Sequence, residues 1–205
     1  MRREFEARLR SYVPASEPLE ALRPFIIGAV SPELQRRLNQ PVARAAVLIG
    51  LQEQSGEWSV VMTQRAEHLQ NHPGQVAFPG GRIEVADPSI AAAALREAHE
   101  EIGLTPADVE VVAQIDDHIT GTGFVVTPIV GFVAAEFVPV ANANEVAAVF
   151  NVPLRAILDE SLLKPVERDR FGTRFINYEL QHQQHLIWGA TAAMLATLRK
   201  IYYET

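Results

Sequence analysis

Three glutamates, Glu97, Glu100 and Glu101, fall within the nine residues REAHEEIGL. On a helix their spacings are i, i+3 and i+4, so the carboxylates project from one face. Like charges at that spacing repel by about 0.2–0.5 kcal/mol per pair. A helix that served only stability would not choose them. A divalent cation turns the repulsion into a ligand set, because hard cations such as Mg²⁺ take oxygen donors from carboxylates and substrate phosphates. A solvated acidic face is the other reading of the same spacing. Further chemistry-bearing groups are Arg96 beside the cluster, Glu145 in NANEVAAVF, Arg65, Asp116-Asp117-His118, and the pair His182 and His185. The two histidines have no third ligand nearby, and imidazole zinc sites usually have three or four.

The element that must carry the glutamates reads as one helix. Ala91, Leu95, Ala98 and Ile102 form an apolar stripe at about 100° per residue, with the carboxylates roughly opposite. Asp87 sits where an N-cap belongs, Pro88 follows at N1, and Gly103 is placed to end the helix. One face would pack on a core while the other presents charge to a cleft.

These residues resemble the signature of Nudix hydrolases, G-x5-E-x7-R-E-U-x-E-E-x-G-U, with U a bulky aliphatic. Arg96, Glu97, Glu100, Glu101, Gly103 and Leu104 match, and Ala98 fills a U position. Counting from Gly81, the first acidic position is filled by Asp87, and eight residues separate it from Arg96. Upstream, MTQRAEHLQNHPGQVAFPGG resembles the extra motif of the coenzyme A pyrophosphatase branch, L-L-T-x-R-[SA]-x3-R-x3-G-x3-F-P-G-G. Thr63, Arg65, Ala66, Gly74, Phe78, Pro79, Gly80 and Gly81 match in register. Met62 replaces a leucine, and Gln70 replaces the second arginine.

The resemblance implies an α/β fold, a Nudix-type α/β/α sandwich around a mixed β-sheet. It implies that Glu97, Glu100 and Glu101 hold Mg²⁺ or Mn²⁺ and that Arg96 orients them. The Gly80-Gly81 backbone would approach metal or phosphate, or else form a simple tight turn, and Arg65 would contact substrate by the same resemblance, or else sit in a structural ion pair. The implied reaction is metal-dependent cleavage of the diphosphate of coenzyme A or acyl-CoA to 3′,5′-ADP and 4′-phosphopantetheine. Other nucleoside diphosphate derivatives (ADP-ribose, NADH, a dinucleoside polyphosphate) are the alternative within enzymes. A catalytically silent Nudix-fold binding protein is the alternative outside them. Glu145 would be a further ligand or the base, or else a structural hydrogen-bond partner. Phe124, after Gly121-Thr122-Gly123, would stack on adenine or serve as a core aromatic. Asp116, Asp117 and His118 would line the cleft or simply end a strand.

Hydropathy sets the remaining elements. Residues 1–40 read as a polar, helical appendage broken by Pro14, Pro18 and Pro24, with short helices at 19–22 and at 32–38 behind a Ser31 cap. Residues 41–205 read as the main domain. Strands are expected at 43–52, 58–63, 76–78, 109–115, 124–134 and 151–154, and a late hairpin at 174–180 and 185–187. A hairpin turn lies at 54–57, a polar loop at 64–72, and helices at 154–158 and 189–203. The basic N-terminus lacks the apolar run of a secretory signal, and no apolar run approaches a membrane span. With no cysteine, disulfides and thiolate metal sites are excluded, which suits a cytoplasmic chain. A net charge of −7 argues against non-specific nucleic-acid binding. A homodimer stays open.

Overall fold

A computed structural model describes residues 2–38, 43–120 and 124–204. In chain order the elements are α1 (Arg2–Ser11), α2 (Pro18–Leu22), β1 (Ile26–Ile27), α3 (Pro32–Leu38), β2 (Ala43–Gln54) and β3 (Glu57–Arg65). Then come β4 (Val76–Ala77), β5 (Gly80–Arg82), α4 (Ile90–Ile102), β6 (Val109–Gln114), β7 (His118–Ile119) and β8 (Phe124–Val133). The chain ends with β9 (Val146–Pro153), α5 (Leu154–Leu158), β10 (Lys164–Arg170), β11 (Thr173–His182), β12 (His185–Trp188) and α6 (Gly189–Tyr203).

An eight-stranded mixed sheet forms the centre, hydrogen-bonded in the order β4-β3-β2-β8-β6, with β9 also on β3, β5 on β2 and β7 on β8. β2 and β8 run parallel from Ala43↔Phe124 to Gln52↔Val133, and the other pairings are antiparallel. β2 is buried on both faces, so its sequence is a continuous apolar run whose alternate residues feed two cores. Ala46 and Leu48 join Val61, Ile129 and Val133 against Ala94, Ala98 and Ile102 of α4. Ile49 and Leu51 join Met62 and Val130 against Leu195 and Leu198 of α6. Helices thus cover both faces, as an α/β/α sandwich requires.

A second, antiparallel sheet pairs β11 with β10, β1 and β12. The N-terminal segment joins it directly: Ile26 and Ile27 of β1 pair with Phe175 and Arg174. Phe5 and Leu9 of α1 are buried in the same core cluster as α6. Ser31 caps α3, its hydroxyl accepting from the Leu34 N–H at 3.0 Å. Among the described residues no helix is long and apolar enough to cross a membrane.

Several expectations need correction. The N-cap of α4 is Ser89, whose Oγ accepts from the Ala92 N–H, and both Asp87 and Pro88 precede the helix. The buried residues of α4 are Ala93, Ala94, Ala98, Glu101 and Ile102, so Ala98 and Ile102 of the expected stripe are buried while Ala91 and Leu95 are half-buried. Glu101 therefore lies on the core side of the helix, not opposite it. β3 runs on to Arg65 and β9 begins at Val146, ahead of residue 151. β10 has no counterpart in the strand assignment from sequence. Its residues KPVERDR are all exposed except half-buried Val166, so a polar edge strand carries no apolar period.

Candidate active site

β5 lies beside β2, and α4 lies across it. Gly80 is fixed by crowding: a Cβ there would overlap the Ala46 carbonyl oxygen and come within 2.6 Å of Val47 Cα. At Gly81 a Cβ would sit 2.5 Å from the carboxyl carbon of Glu97. The glycine pair therefore lets a glutamate approach the backbone closely. Glu101, one turn along α4, is 4% exposed. Its Oε2 accepts from the Gly80 N–H at 3.2 Å. Burial pushes its carboxyl up to about 7, aided by the nearby charges of Glu97 and Glu145 and opposed by the Gly80 N–H and the Arg65 guanidinium. Burial also raises Glu97, and Arg96 counteracts part of that rise.

Arg96 holds three carboxylates. Its Nε and Nη2 donate to the two Asp87 oxygens at 2.9 and 3.0 Å. Its Nη1 donates to Glu97 at 2.9 Å and to Glu100 at 3.2 Å. Nη2 also reaches the Arg82 carbonyl at 3.0 Å, tying α4 to the end of β5. The bidentate bond to Arg96 and the Glu84 N–H hold Asp87 below the usual carboxylate range. Asp87 is thus a partner of Arg96, a role its placement as a helix cap concealed.

The opposite wall comes from the ends of β3 and the loop before β9. The register of β3 shifts between Gln64 and Arg65, which re-aims Arg65. Arg65 Nε is buried with no hydrogen-bond partner. The loop is pinned by Asn142, whose N–H donates to the Glu101 carbonyl at 2.8 Å and whose side-chain amide donates to Glu145 at 3.3 Å. The Ala66 N–H donates to the Glu145 carbonyl at 2.8 Å. Asn142 escaped the reading from sequence; its only signal was its place three residues before Glu145.

Glu97, Glu101, Glu145 and Arg65 therefore share one electrostatic neighbourhood at the Gly80-Gly81 backbone. Glu100, its side chain 50% exposed, flanks them. Among the described residues, no three Asp, Glu, His or Cys side chains are gathered as they stand into a cage for a metal. The reason is visible: Glu97 and Glu100 are turned onto Arg96. The donor chemistry nonetheless fits a hard divalent cation, because every side chain available is a carboxylate oxygen.

Other residues singled out by type are engaged elsewhere. Asp116 accepts from the Ala15 N–H at 2.8 Å. Asp117 accepts from the Thr127 hydroxyl at 2.6 Å and pairs with Arg44 at 3.6 Å. The His118 ring packs edge-on against Phe25, and the His185 ring stacks on Phe150 at 3.9 Å. Phe124 packs against the larger core with the Arg82 guanidinium over its ring at 5.2 Å. Gly121, Thr122 and Gly123 lie outside the described residues.

Comparison with known proteins gives the family. The NUDIX domain profile matches residues 41–170. The chain is 42% identical over 157 residues to the uncharacterized Nudix hydrolase NudL of Enterobacter sp. (strain 638), covering 76% of this chain and 80% of that protein. It is 37% identical over 168 residues to the same-named protein of Escherichia coli (strain SMS-3-5 / SECEC), covering 82% and 86%. In fold it is similar to a crystal structure of a Nudix hydrolase from M. smegmatis, RenU, with a TM-score of 0.54 at 21% identity over 78% of this chain and 85% of that one. The chain belongs to the Nudix hydrolase family.

Proposed function

We infer that the protein hydrolyses the phosphoanhydride bond of coenzyme A or an acyl-CoA, releasing 3′,5′-ADP and the 4′-phosphopantetheine half. The observation that carries this reading is the buried, unpartnered Nε of Arg65 facing a carboxylate pocket. A buried donor left without a partner costs about 1–3 kcal/mol, so a site that keeps one is built to receive an acceptor. A diphosphate oxygen is such an acceptor. Arg65 belongs to the stretch that resembles the coenzyme A motif, and this favours that substrate over other diphosphates. The exposed Gln70 stands where that motif has a second arginine, which is the feature favouring a different nucleoside diphosphate.

Glu97, Glu100 and Glu101 would hold Mg²⁺ or Mn²⁺. The cation would neutralise diphosphate oxygens and make a bound water acidic enough to attack. This chain's own groups do the rest. Arg96 fixes the direction of Glu97 and Glu100 through Nη1 and is itself fixed by Asp87. Glu145, held by Asn142, would take a proton from the attacking water. Arg65 aligns the diphosphate against the Gly80-Gly81 backbone.

The test is a panel of coenzyme A, butyryl-CoA, NADH, ADP-ribose and diadenosine polyphosphates with Mg²⁺ or Mn²⁺, read by product masses. Release of 3′,5′-ADP from the coenzyme A members is expected. Turnover of ADP-ribose or dinucleotides without coenzyme A would assign the alternative substrate class, and turnover of none would favour a binding protein.

A further inference from the structure

A cavity of about 560 Å³ opens between the loop before β4, the β10–β11 turn and the start of α6. It lies at the same end of the central sheet as the carboxylates. β3 ends at Arg65, and the Arg65 N–H donates to the Gln75 carbonyl, a cavity wall, at 2.9 Å. It lies on the other face of the sheet, however, under α6 rather than α4. Six residues, His118, Ile119, Thr120, Arg170, Phe171 and Asn177, also line a second, smaller chamber of about 60 Å³. The two spaces adjoin at these six residues.

The lining changes from one space to the other. The wide part mixes apolar walls such as Val76, Ile119 and the Trp188 ring with polar groups, among them Asn177, two histidines and the Arg170 guanidinium. The inner chamber ends in Leu22, Phe25, Leu34, Phe175, Ile176 and Ala193. Among the described residues, no hydrogen bond or ion pair engages the Asn177 amide, the indole N–H of Trp188, a residue 42% exposed, or the Arg170 guanidinium, whose charge acts on His118. Leu22, Phe25 and Leu34 belong to the N-terminal segment, outside the residues that match the family profile. That segment is tied to the cavity wall. The Ser31 hydroxyl donates to the Phe171 carbonyl, the Ser31 N–H donates to Thr173 Oγ1 at 2.9 Å, and the Arg37 guanidinium lies over the Phe171 ring at 4.1 Å.

We propose that these adjoining spaces form one path that receives the arm of the diphosphate substrate that does not react, a flexible amide-bearing chain ending in a short aliphatic thioester, with the N-terminal segment closing the end that selects its length. The proposal rests on the hydrolase reading above. Amide groups of such a chain pair with Asn177 and the Trp188 indole along the wide part, and its tail fills the apolar chamber. A volume of this size is ordinary for a small-molecule site. A few methylenes fit the inner chamber, so the tail is short.

The experiment uses Trp188 as its own reporter, since the second tryptophan, Trp58, is buried. S-butyryl-4′-phosphopantetheine, which has no diphosphate, is titrated in EDTA while tryptophan emission is followed, with Trp188→Phe as the control. Saturable quenching, at least fivefold tighter than for 4′-phosphopantetheine with a free thiol, is expected. Ala193→Leu, which fills the chamber, abolishes that preference, and Leu34→Ala, which widens it, moves the preference to a hexanoyl thioester. Circular dichroism identifies which variants are folded. No saturable quenching, equal affinity for the two ligands, or a butyryl preference unchanged in both folded variants overturns the proposal. Turnover of butyryl-CoA is measured in parallel with Mg²⁺. Quenching without turnover removes the hydrolase reading and keeps the pocket; turnover without quenching removes the pocket alone.

Discussion

Arg96 contacts Asp87, Glu97 and Glu100 at once, and the geometry explains how a helix tolerates its acidic turn. One guanidinium answers the repulsion that the spacing predicts. Glu101 is left outside this network, buried, with one N–H and the field of Arg65 for company. Its carboxyl, pushed up to about 7, binds a proton in the folded chain at a pH where the unfolded chain does not. Folding stability from Glu101 is therefore greatest below its ordinary value and falls as pH rises through about 7. A cation competes with that proton. Mg²⁺ is accordingly expected to raise Tm more at about pH 8 than at about pH 6, and Glu101→Gln to remove the difference in a thermal-shift series. Glu100 is the partly exposed member, so Glu100→Gln tests function apart from fold. Its kcat is expected to fall by at least about 10²-fold at saturating Mg²⁺ with a near-native Tm. Near-normal turnover would remove Glu100 from the site.

At the scale of elements, the site depends on how closely β5 lies against β2 and α4. Gly80→Ala forces a methyl into the Ala46 carbonyl and the Val47 backbone. Steady-state kinetics are expected to show at least about a tenfold loss in kcat/KM, because misplacement of about 1 Å at a reacting centre has that effect or more. The Tm is expected to fall with it. Wild-type kinetics in this variant would mean that β5 moves freely and does not position the carboxylates. The start of α4 shows why part of this region was hidden. Asp87-Pro88 and Ser89 are both good cap sequences, and sequence alone cannot choose between adjacent candidates. Ser89 caps, which frees Asp87 for Arg96. Glu101 lies on the core side because helical spacing puts it on the face of Ala94 and Ala98. Hydropathy would not place an ionisable group there, because burial of a charge is ordinarily unfavourable.

Across the whole molecule, the N-terminal segment and α6 meet behind the central sheet, and His118 sits at their junction. It is half-buried against Phe25, and burial, aided by the Arg170 charge, lowers its imidazole to about 4 from an ordinary 6.5. Between those values the unfolded chain takes up the proton that the folded chain refuses, so stability is lost as pH falls through that window. His118→Phe is expected to flatten the acid limb of a Tm-against-pH curve; an unchanged slope would place the acid sensitivity elsewhere. The parts legible in the sequence were those with strong period or punctuation. The turn at Ser55-Gly56, with both residues at positive φ, joins the two expected strands β2 and β3. α5 and α6 begin and end where apolar patterning placed them. The glutamates and the glycine pair of the candidate site could be singled out because their spacing resembles a known signature. β10, β1 and the link between the N-terminal segment and β11 were not. They are short or polar edge pairings, specified by tertiary contact rather than by local pattern.

The proposed reaction requires a divalent cation held by the carboxylates of one turn of α4. Manganese soaked into crystals at neutral pH and located by its anomalous scattering measures this directly. The expected result is a peak within bonding distance of Glu97 and Glu101 oxygens, beside the Gly80-Gly81 backbone, with the Glu97 carboxylate turned from Arg96 toward the ion. Full manganese occupancy elsewhere and none at that turn would contradict it.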